Sequence, residues 1–314
     1  MNKLFLASLV SGLIALPAYA ADYSIMAPAA PGGGWDQTAR TMQAVLQDEK
    51  ISGNVQVTNV PGAGGTIGLA QFANQANGDP SQLIVGGYVM VGAILTNQSP
   101  VTLADVTPIA RLTGESVAMV VPANSPLQTV DDLIAALKAD PGSVAWAGGS
   151  AGGADHITAG LIAKAVGVDP TLVNYIAYSG GGEALAAILG GQVTVGLSGY
   201  GEFASQVESG DLRLLAISGE KRIEGVDAPT LSEAGVDVVL ENWRMVAAAP
   251  GITDEQKAAI NTDIEAMVNS ASWQAALADR GWVNTYLAGD AFDAQLNKDI
   301  EATSAILKDI GLVQ

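Results

Sequence analysis

From residue 22 nearly to the end of the chain, short runs of aliphatic and β-branched residues alternate with stretches whose apolar positions recur every three to four residues. That alternation predicts strands separated by amphipathic helices, the pattern of parallel α/β sheets. "DYSIMAP" reads as a first strand, with a helix over 36–48 behind it. "NVQVTNV" is a second strand with a helix over 65–76, and "SQLIVGG" a third. The apolar run from Leu83 to Leu95 is broken by Gly86, Gly87 and Gly92, so it reads as a buried strand entering a helix. A fourth strand, "SVAMVVP", ends at Pro122. A self-contained block follows: a helix over 130–139, strand "SVAWAG", a helix from Asp155, strand "NYIAYS", a helix over 183–189, strand "VTVGLSG", a helix over 201–208 and strand "LRLLAIS". "NWRMVAAAP" is a late strand, and residues 253–312 form an interrupted helical tail.

The pattern predicts two α/β domains, which 314 residues suffice to build. The first comprises residues 21–121 with 243–314 and the second residues 122–242. The chain leaves the first domain through 116–122 and returns through 242–249. Ligand clefts often lie between such domains.

The first 20 residues read differently. Lys3, the apolar "LFLASLVSGLIAL" and Ala18-Tyr19-Ala20 have the form of a secretory signal peptide cleaved after Ala20. The apolar stretch falls short of the ~20 residues that span a bilayer. The chain has no cysteine, which removes both a lipidated cysteine and a disulfide. Composition is that of a globular protein, 49% hydrophobic and 15% charged. A net charge of −18 excludes nucleic acid as a partner and argues against an acidic membrane surface.

Glycine clusters follow the strands repeatedly, at 31–36, 61–68, 86–88, 148–153 and 178–183. Loops at the carboxyl ends of strands form the ligand crevice of open α/β sheets, and glycine lets a ligand approach the backbone closely. Each loop opens a helix, whose free N–H groups favour an anion. The candidates are therefore Gly32, Gly33 and Gly34 with Trp35 and Asp36; Gly64, Gly65 and Thr66; Gly87 and Tyr88; Ser150, Ala151, Gly152 and Gly153; and Gly180 and Gly181. Trp35 suits either the core or a cleft wall. Asp36 suits a helix's first turn, paired with Arg40, better than an anionic ligand. Tyr178, Ser198 and Tyr200 follow strands of the second block and offer hydroxyls. Arg244 beside Trp243 is either a clamp for a second carboxylate or an exposed sheet-edge residue.

Nucleotide motifs fit poorly. No glycine precedes a lysine, as a P-loop requires, and Ile67 stands where GxGxxG needs its third glycine. Residues 148–152 match the GxSxG elbow of serine hydrolases around Ser150. Its base would have to be His156, the single histidine, which lies in the helix that the elbow starts and points away from the serine. One histidine and no cysteine also argue against a metal site, and nothing calls for a cofactor. The chain reads as a binder and not as an enzyme.

In order, "PGGGWDQTAR", "NVPGAGGTIG", "GGSAGGADH", "YSGGGEALAAILGGQV", "GDLRLLAISGEKR" and "APTLSEAG" resemble the substrate-binding receptors of tripartite tricarboxylate transporters, the Bug receptors. The likeness runs from about Tyr23 to the end and is nearest the citrate-type branch. It implies a type II periplasmic binding protein fold, two α/β domains joined by two crossover strands around a central cleft that closes on an organic di- or tricarboxylate. It also implies a monomer that hands this ligand to membrane permease subunits, one large and one small. In the family, loops corresponding to 31–36 and 61–66 hold one carboxylate through amides and bridging waters, while 150–153, 178–182 and 198–200 face the ligand's variable end. Gly153 and Ala154 stand where many members carry Ser or Thr, and Ala159-Gly160 replaces the common Gly-Glu. The distal pocket thus offers fewer hydroxyls. A carboxylate sensor for a signalling partner has the same sequence features.

Overall fold

The computed structural model describes residues 21–179 and 181–314. The expected leader, residues 1–20, and Gly180 lie outside the described residues. Two sheets organise the chain. The first forms from β1 (Tyr23–Ala27), α1 (Gly34–Asp48), β2 (Val55–Asn59), α2 (Thr66–Gln75), β3 (Gln82–Gly87), α3 (Tyr88–Thr96) and β4 (Thr107–Glu115). The second is built from β5 (Val117–Pro122), α4 (Val130–Ala139), β6 (Ala145–Gly148), α5 (Ala154–Ala165), β7 (Asn174–Ala177), α6 (Gly181–Leu189), β8 (Val195–Gly199), α7 (Tyr200–Glu208) and β9 (Leu212–Ile217). The chain then returns to the first sheet with β10 (Arg244–Ala248), α8 (Asp254–Val268), α9 (Ala271–Arg280), β11 (Trp282–Ala288) and α10 (Gly289–Asp309).

The strand orders are β11-β4-β10-β3-β1-β2 and β7-β6-β8-β5-β9. Both sheets are mixed rather than purely parallel. β1, β2 and β3 run parallel, while β10 is antiparallel to both β3 and β4. β6 is parallel to β7 and β8, and β5 is antiparallel to β8 and β9. The two crossing strands, β5 and β10, each enter a sheet from the other domain and run antiparallel to their neighbours, and β11 adds a further antiparallel edge.

Helical spacing explains how α1 packs. Trp35, Ala39, Met42 and Leu46 recur on one face and are buried against the sheet. Truncating Met42 to alanine is expected to cost about 2–5 kcal/mol in thermal or denaturant unfolding, the usual range for a core side chain that leaves a cavity.

Two expectations need correction. The strand "SVAMVVP" was expected to close the first domain, with the boundary after residue 121, but as β5 it belongs to the second sheet. The outward crossing is therefore at Ser116, where the chain runs almost straight from β4 into β5. No turn residue marks the change of sheet. The tail expected to be helical over 253–312 contains β11, which pairs with β4. Most of β11 is exposed or half-buried, so it lacks the apolar run that announces an interior strand.

The two crossings touch. Ser116 forms an antiparallel bridge with Glu241, and Glu115 and Asn242 exchange backbone hydrogen bonds of 3.2 and 2.9 Å. Beside them the Ser218 hydroxyl accepts from the Val117 amide at 2.8 Å and donates to the Leu240 carbonyl at 2.6 Å. The C-terminal helix α10 buries Phe292 and Leu296 in the first domain. Its far end reaches the second, where Asp309 pairs with Lys164 and Ile310 sits against Gly160 of α5.

Candidate functional site

A narrow cavity of about 70 Å³ lies between the domains. Five helices begin on its walls. Gly33 and Gly34 stand at the start of α1, and Gly64 and Gly65 lead into α2. Across from them Gly149 and Ser150 precede α5, Ser179 and Gly181 open α6, and Ser198 and Glu202 flank the start of α7. Each helix start presents unpaired N–H groups and the positive end of a peptide dipole. Converging on one volume, such helix starts favour negative charge there.

Glycine is required at two of these places. Gly64 and Gly65 have φ of +62° and +87°, and a Cβ at Gly64 would run into Ala93 and lie 3.3 Å from Ser150 Cβ of the other domain. A Cβ at Gly34 would strike the Arg244 guanidinium and stand 3.0 Å from Glu202 Oε1. The loops are bare where the domains meet. Trp35 serves both expected roles: it is buried, and its ring borders the cleft behind Gly65.

Asp36 does not line the cleft. Its carboxylate accepts from the Gly32 amide at 2.9 Å, Arg40 Nε at 3.0 Å and Asn59 Nδ2 at 2.9 Å. Burial works to raise its pKa, but these hydrogen bonds outweigh it and hold the carboxyl below its usual range. Asp36 thereby fixes the shape of the 31–36 loop, and Thr66 does the same for the 61–68 loop, its hydroxyl donating to the Ala63 carbonyl at 2.9 Å. Asp36→Ala is expected to lower the unfolding midpoint by an amount that shrinks as pH falls through the depressed pKa, since that stability is present only while the carboxylate is ionised.

Gly87 and Tyr88 lie behind the site. Gly87 has φ +150° with no room for a Cβ beside Trp243, and Tyr88 packs edge-on against Trp243 with centroids 6.4 Å apart. Ala151 and Tyr178 line an adjoining depression of about 290 Å³ that shares Ser150 and Ser179 with the cleft. Gly152 and Gly153 close against α3 of the first domain, where a Cβ on Gly92 would collide with the Gly152 carbonyl. Tyr200 opens α7 beside Gly281.

Arg244 is on a central strand, 2% exposed, and not at a sheet edge. It borders the cleft. Its charge is already engaged, however: the guanidinium pairs with buried Glu115, stacks 4.9 Å over Trp282 and reaches Thr38 Oγ1 at 3.4 Å. Glu115 also accepts from Trp282 Nε1 at 3.0 Å and Asn242 Nδ2 at 3.3 Å. Burial raises its pKa more than Arg244 and these donors lower it.

Two carboxyls escaped the sequence reading as cleft residues. Asp155 and Glu202 each occupy the first turn of a helix, α5 and α7, and face the cleft. Burial pushes Asp155 up to about 7, and burial with the charge of Glu115 pushes Glu202 up to about 8. An acidic residue just after a glycine loop was a visible signal. It reads equally well as an ordinary complement to the helix dipole.

His156 is bonded to the backbone before its own helix. Its Nδ1 accepts from the Gly152 amide at 3.2 Å, and its ring stacks on Tyr175 at 4.1 Å. Burial lowers its pKa to about 4, which leaves it neutral. No hydrogen bond joins it to Ser150 among the described residues.

Known proteins resemble this chain along most of its length. Residues 38–312 match the family described as Tripartite tricarboxylate transporter family receptor. Protein BugT of Bordetella pertussis is 28% identical over 292 residues, 91% of this chain and 88% of that one. A protein encoded in the gbd 5′ region of Cupriavidus necator is 30% identical, over 86% of this chain and 83% of its own. Among solved structures, the periplasmic binding protein BugD superposes with a TM-score of 0.84 at 21% identity, covering 93% of this chain and 98% of that one. MatC from Rhodopseudomonas palustris, solved with bound malate, gives 0.80 at 23% identity over 93% and 100% of the two chains. A second R. palustris protein, with adipate, gives 0.80 at 23% over 94% and 98%. At these identities the structures establish a shared two-domain periplasmic-binding fold. With the family match spanning nearly the whole described chain, the sequence belongs to the tripartite tricarboxylate transporter family of receptors.

Proposed function

We propose that the protein captures an organic di- or tricarboxylate between its domains and delivers it to the permease of a tripartite transporter. The observation that carries this reading is the convergence of helix N-termini from both domains on one cleft. In it, the amides of Gly34 and Gly64 hold one carboxylate, Gly33 and Gly65 leave room for it while their own amides bond Ala30 and Gly62, and Ser150, Gly181 and Ser198 meet the ligand's other end. The malate and adipate complexes of the structural neighbours support the ligand class. The cavity of about 70 Å³ is well below the ~300 Å³ at the small end of ordinary ligand pockets, so the domains must part to admit a ligand. Capture by closure of the cleft follows.

A thermal-shift screen tests the reading. A ligand at 100 times its Kd adds about 2.7 kcal/mol of stability when it binds the folded form alone. At least one of citrate, tricarballylate, malate, succinate, adipate or an aromatic dicarboxylate is expected to raise the midpoint clearly, and sugars and cationic amino acids are not. Stabilisation by sugars or nucleotides alone would sink the proposal.

Processing belongs to the same reading. The mature chain begins near Ala21 and is expected in the osmotic-shock fluid as a soluble monomer. Among the described residues no helix is long and apolar enough to cross a membrane. Recovery in a salt-washed membrane pellet would count against export in this form.

A further inference from the structure

The closed cleft has an unbalanced charge. Arg244 is the one cation among the described lining residues, and Glu115 already pairs with it. Asp155 and Glu202, on the second domain's wall, are left without a cation of their own. Asp155 has some compensation, since its Oδ2 accepts the Gly149 amide at 2.7 Å. Glu202 is less well served. Its Oε2 is sealed from solvent and has no hydrogen-bond partner.

The surroundings of Glu202 offer little to hold a negative charge. Gly181 of α6 presses directly on Oε2, and Gly34 of α1 lies close to Oε1. The Ser198 hydroxyl from β8 donates towards Glu202 and favours its ionised form, but less than burial and the neighbouring carboxyls oppose it. Of the charged groups that face it, Arg244 of β10 attracts, while Glu115 of β4 and Asp155 of α5 repel. Arg280 of α9 lies over the Trp282 ring and reaches Gln37 at 3.4 Å. An ionised carboxylate with one orphan oxygen in such a place is costly, and taking up a proton is the cheaper state. A bound metal ion is not the alternative, because no group of three or more His, Asp or Glu side chains among the described residues could hold one.

We propose that Glu202 closes on the ligand as a neutral carboxylic acid, donating a hydrogen bond to the ligand's distal carboxylate, so that capture takes up one proton from solution. This rests on the carboxylate reading of the cleft and adds a specificity residue to it. With the cleft open to water Glu202 is ionised at neutral pH; closure on an anion protonates it, and release returns the proton. The burial and repulsion that push its carboxyl to about 8 act in the same direction. A receptor of this kind holds its ligand more tightly as the medium acidifies.

Calorimetry with malate, succinate, adipate and citrate, in phosphate and in Tris between about pH 6.5 and 8.5, reads the proton directly. At the acid end of that range the wild-type protein is expected to take up close to one proton per ligand, with uptake falling through about pH 8, and to lose up to about tenfold in affinity per pH unit below that point. Glu202→Gln, a permanent donor of the same shape, is expected to keep affinity within about threefold at the acid end and to lose most of the pH dependence. Binding by the wild type with no proton uptake and a flat pH profile would overturn the proposal, whether or not the variant folds. So would a well-folded Glu202→Gln that no longer binds, which would make Glu202 the anionic partner of a cationic ligand group. Failure of every acid to bind at any pH would defeat the carboxylate reading, and this inference with it.

Discussion

Gly33→Asp is expected to abolish carboxylate binding while leaving the fold as stable as before, or slightly more so. Gly33 caps α1 with φ −72° and ψ 164°, an extended conformation that any residue adopts. Aspartate is a better N-cap than glycine by a few tenths of a kcal/mol, since its side chain accepts the helix's second or third amide. Gly33, Gly34 and Trp35 line the cleft, so the new side chain sits at its wall. The new carboxylate fills the anion site from within and repels any anion that approaches. Losing two charge-assisted hydrogen bonds of roughly 1.5–3 kcal/mol each implies at least ~100-fold weaker binding. Calorimetry with a stabilising acid, beside thermal unfolding, gives both numbers. Wild-type affinity in a well-folded variant would show that the loop is merely a turn. The same change at Gly65 is a poorer test, because φ is +87° and a Cβ would press within 2.6 Å of the Trp35 ring. Loss of binding there would be confounded by strain.

Arg244→Met should produce the largest loss of stability from any single change at the cleft, about 3–5 kcal/mol. The cause is the orphaned carboxylate of Glu115, 3% exposed, and not the missing contact. Removing one partner of a buried pair leaves an uncompensated charge, whereas replacing both with apolar groups is often neutral. Glu115→Met in the same chain is therefore expected to recover most of the loss. The sign with pH follows. Without Arg244 the folded pKa of Glu115 rises further above its unfolded value, so the penalty is absent below the ordinary carboxylate range and grows as pH climbs towards the folded pKa. Denaturant unfolding at several pH values would show it. An equal loss at every pH would mean that packing over Trp282 matters more than charge. Ligand affinity is expected to fall as well, but as a consequence of the disturbed wall and not of a freely offered guanidinium.

The difference between these two experiments shows how much of the site was legible in the sequence. Glycine punctuates helix starts, so the 31–36, 61–68, 148–153 and 178–183 loops and the helices behind them could be placed without coordinates. The strands that carry them are short runs bounded by turn residues, two of them (β2 and β7) exposed at sheet edges, and those too could be read. β11 could not, because it is mostly exposed and sits between α9 and α10, whose helical pattern runs up to it on both sides. The crossing at Ser116 was hidden for a different reason: β4 and β5 form one continuous extended run, and hydrogen-bond partners alone decide where one sheet ends. The charge cluster was the least accessible. Glu115, Asp155, Glu202 and Arg244 come from four distant segments, and each looks ordinary where it stands. Only the topology brings them together, and with them the paired state of Arg244.

The C-terminal helix has a mechanical consequence. Two adjacent extended strands make a pivot that resists little besides stretching, and alone they would let the domains swing or twist freely. Through Ile310 against Gly160 and Asp309 beside Lys164, α10 adds a third point of attachment away from that pivot. Three points that do not lie on one line define a plane. Any opening must therefore turn about an axis passing near both the strand pair and the end of α10, or else detach that end. Opening of the cleft therefore has to part Gly92 from Gly152 while the end of α10 either turns with α5 or lets go of it.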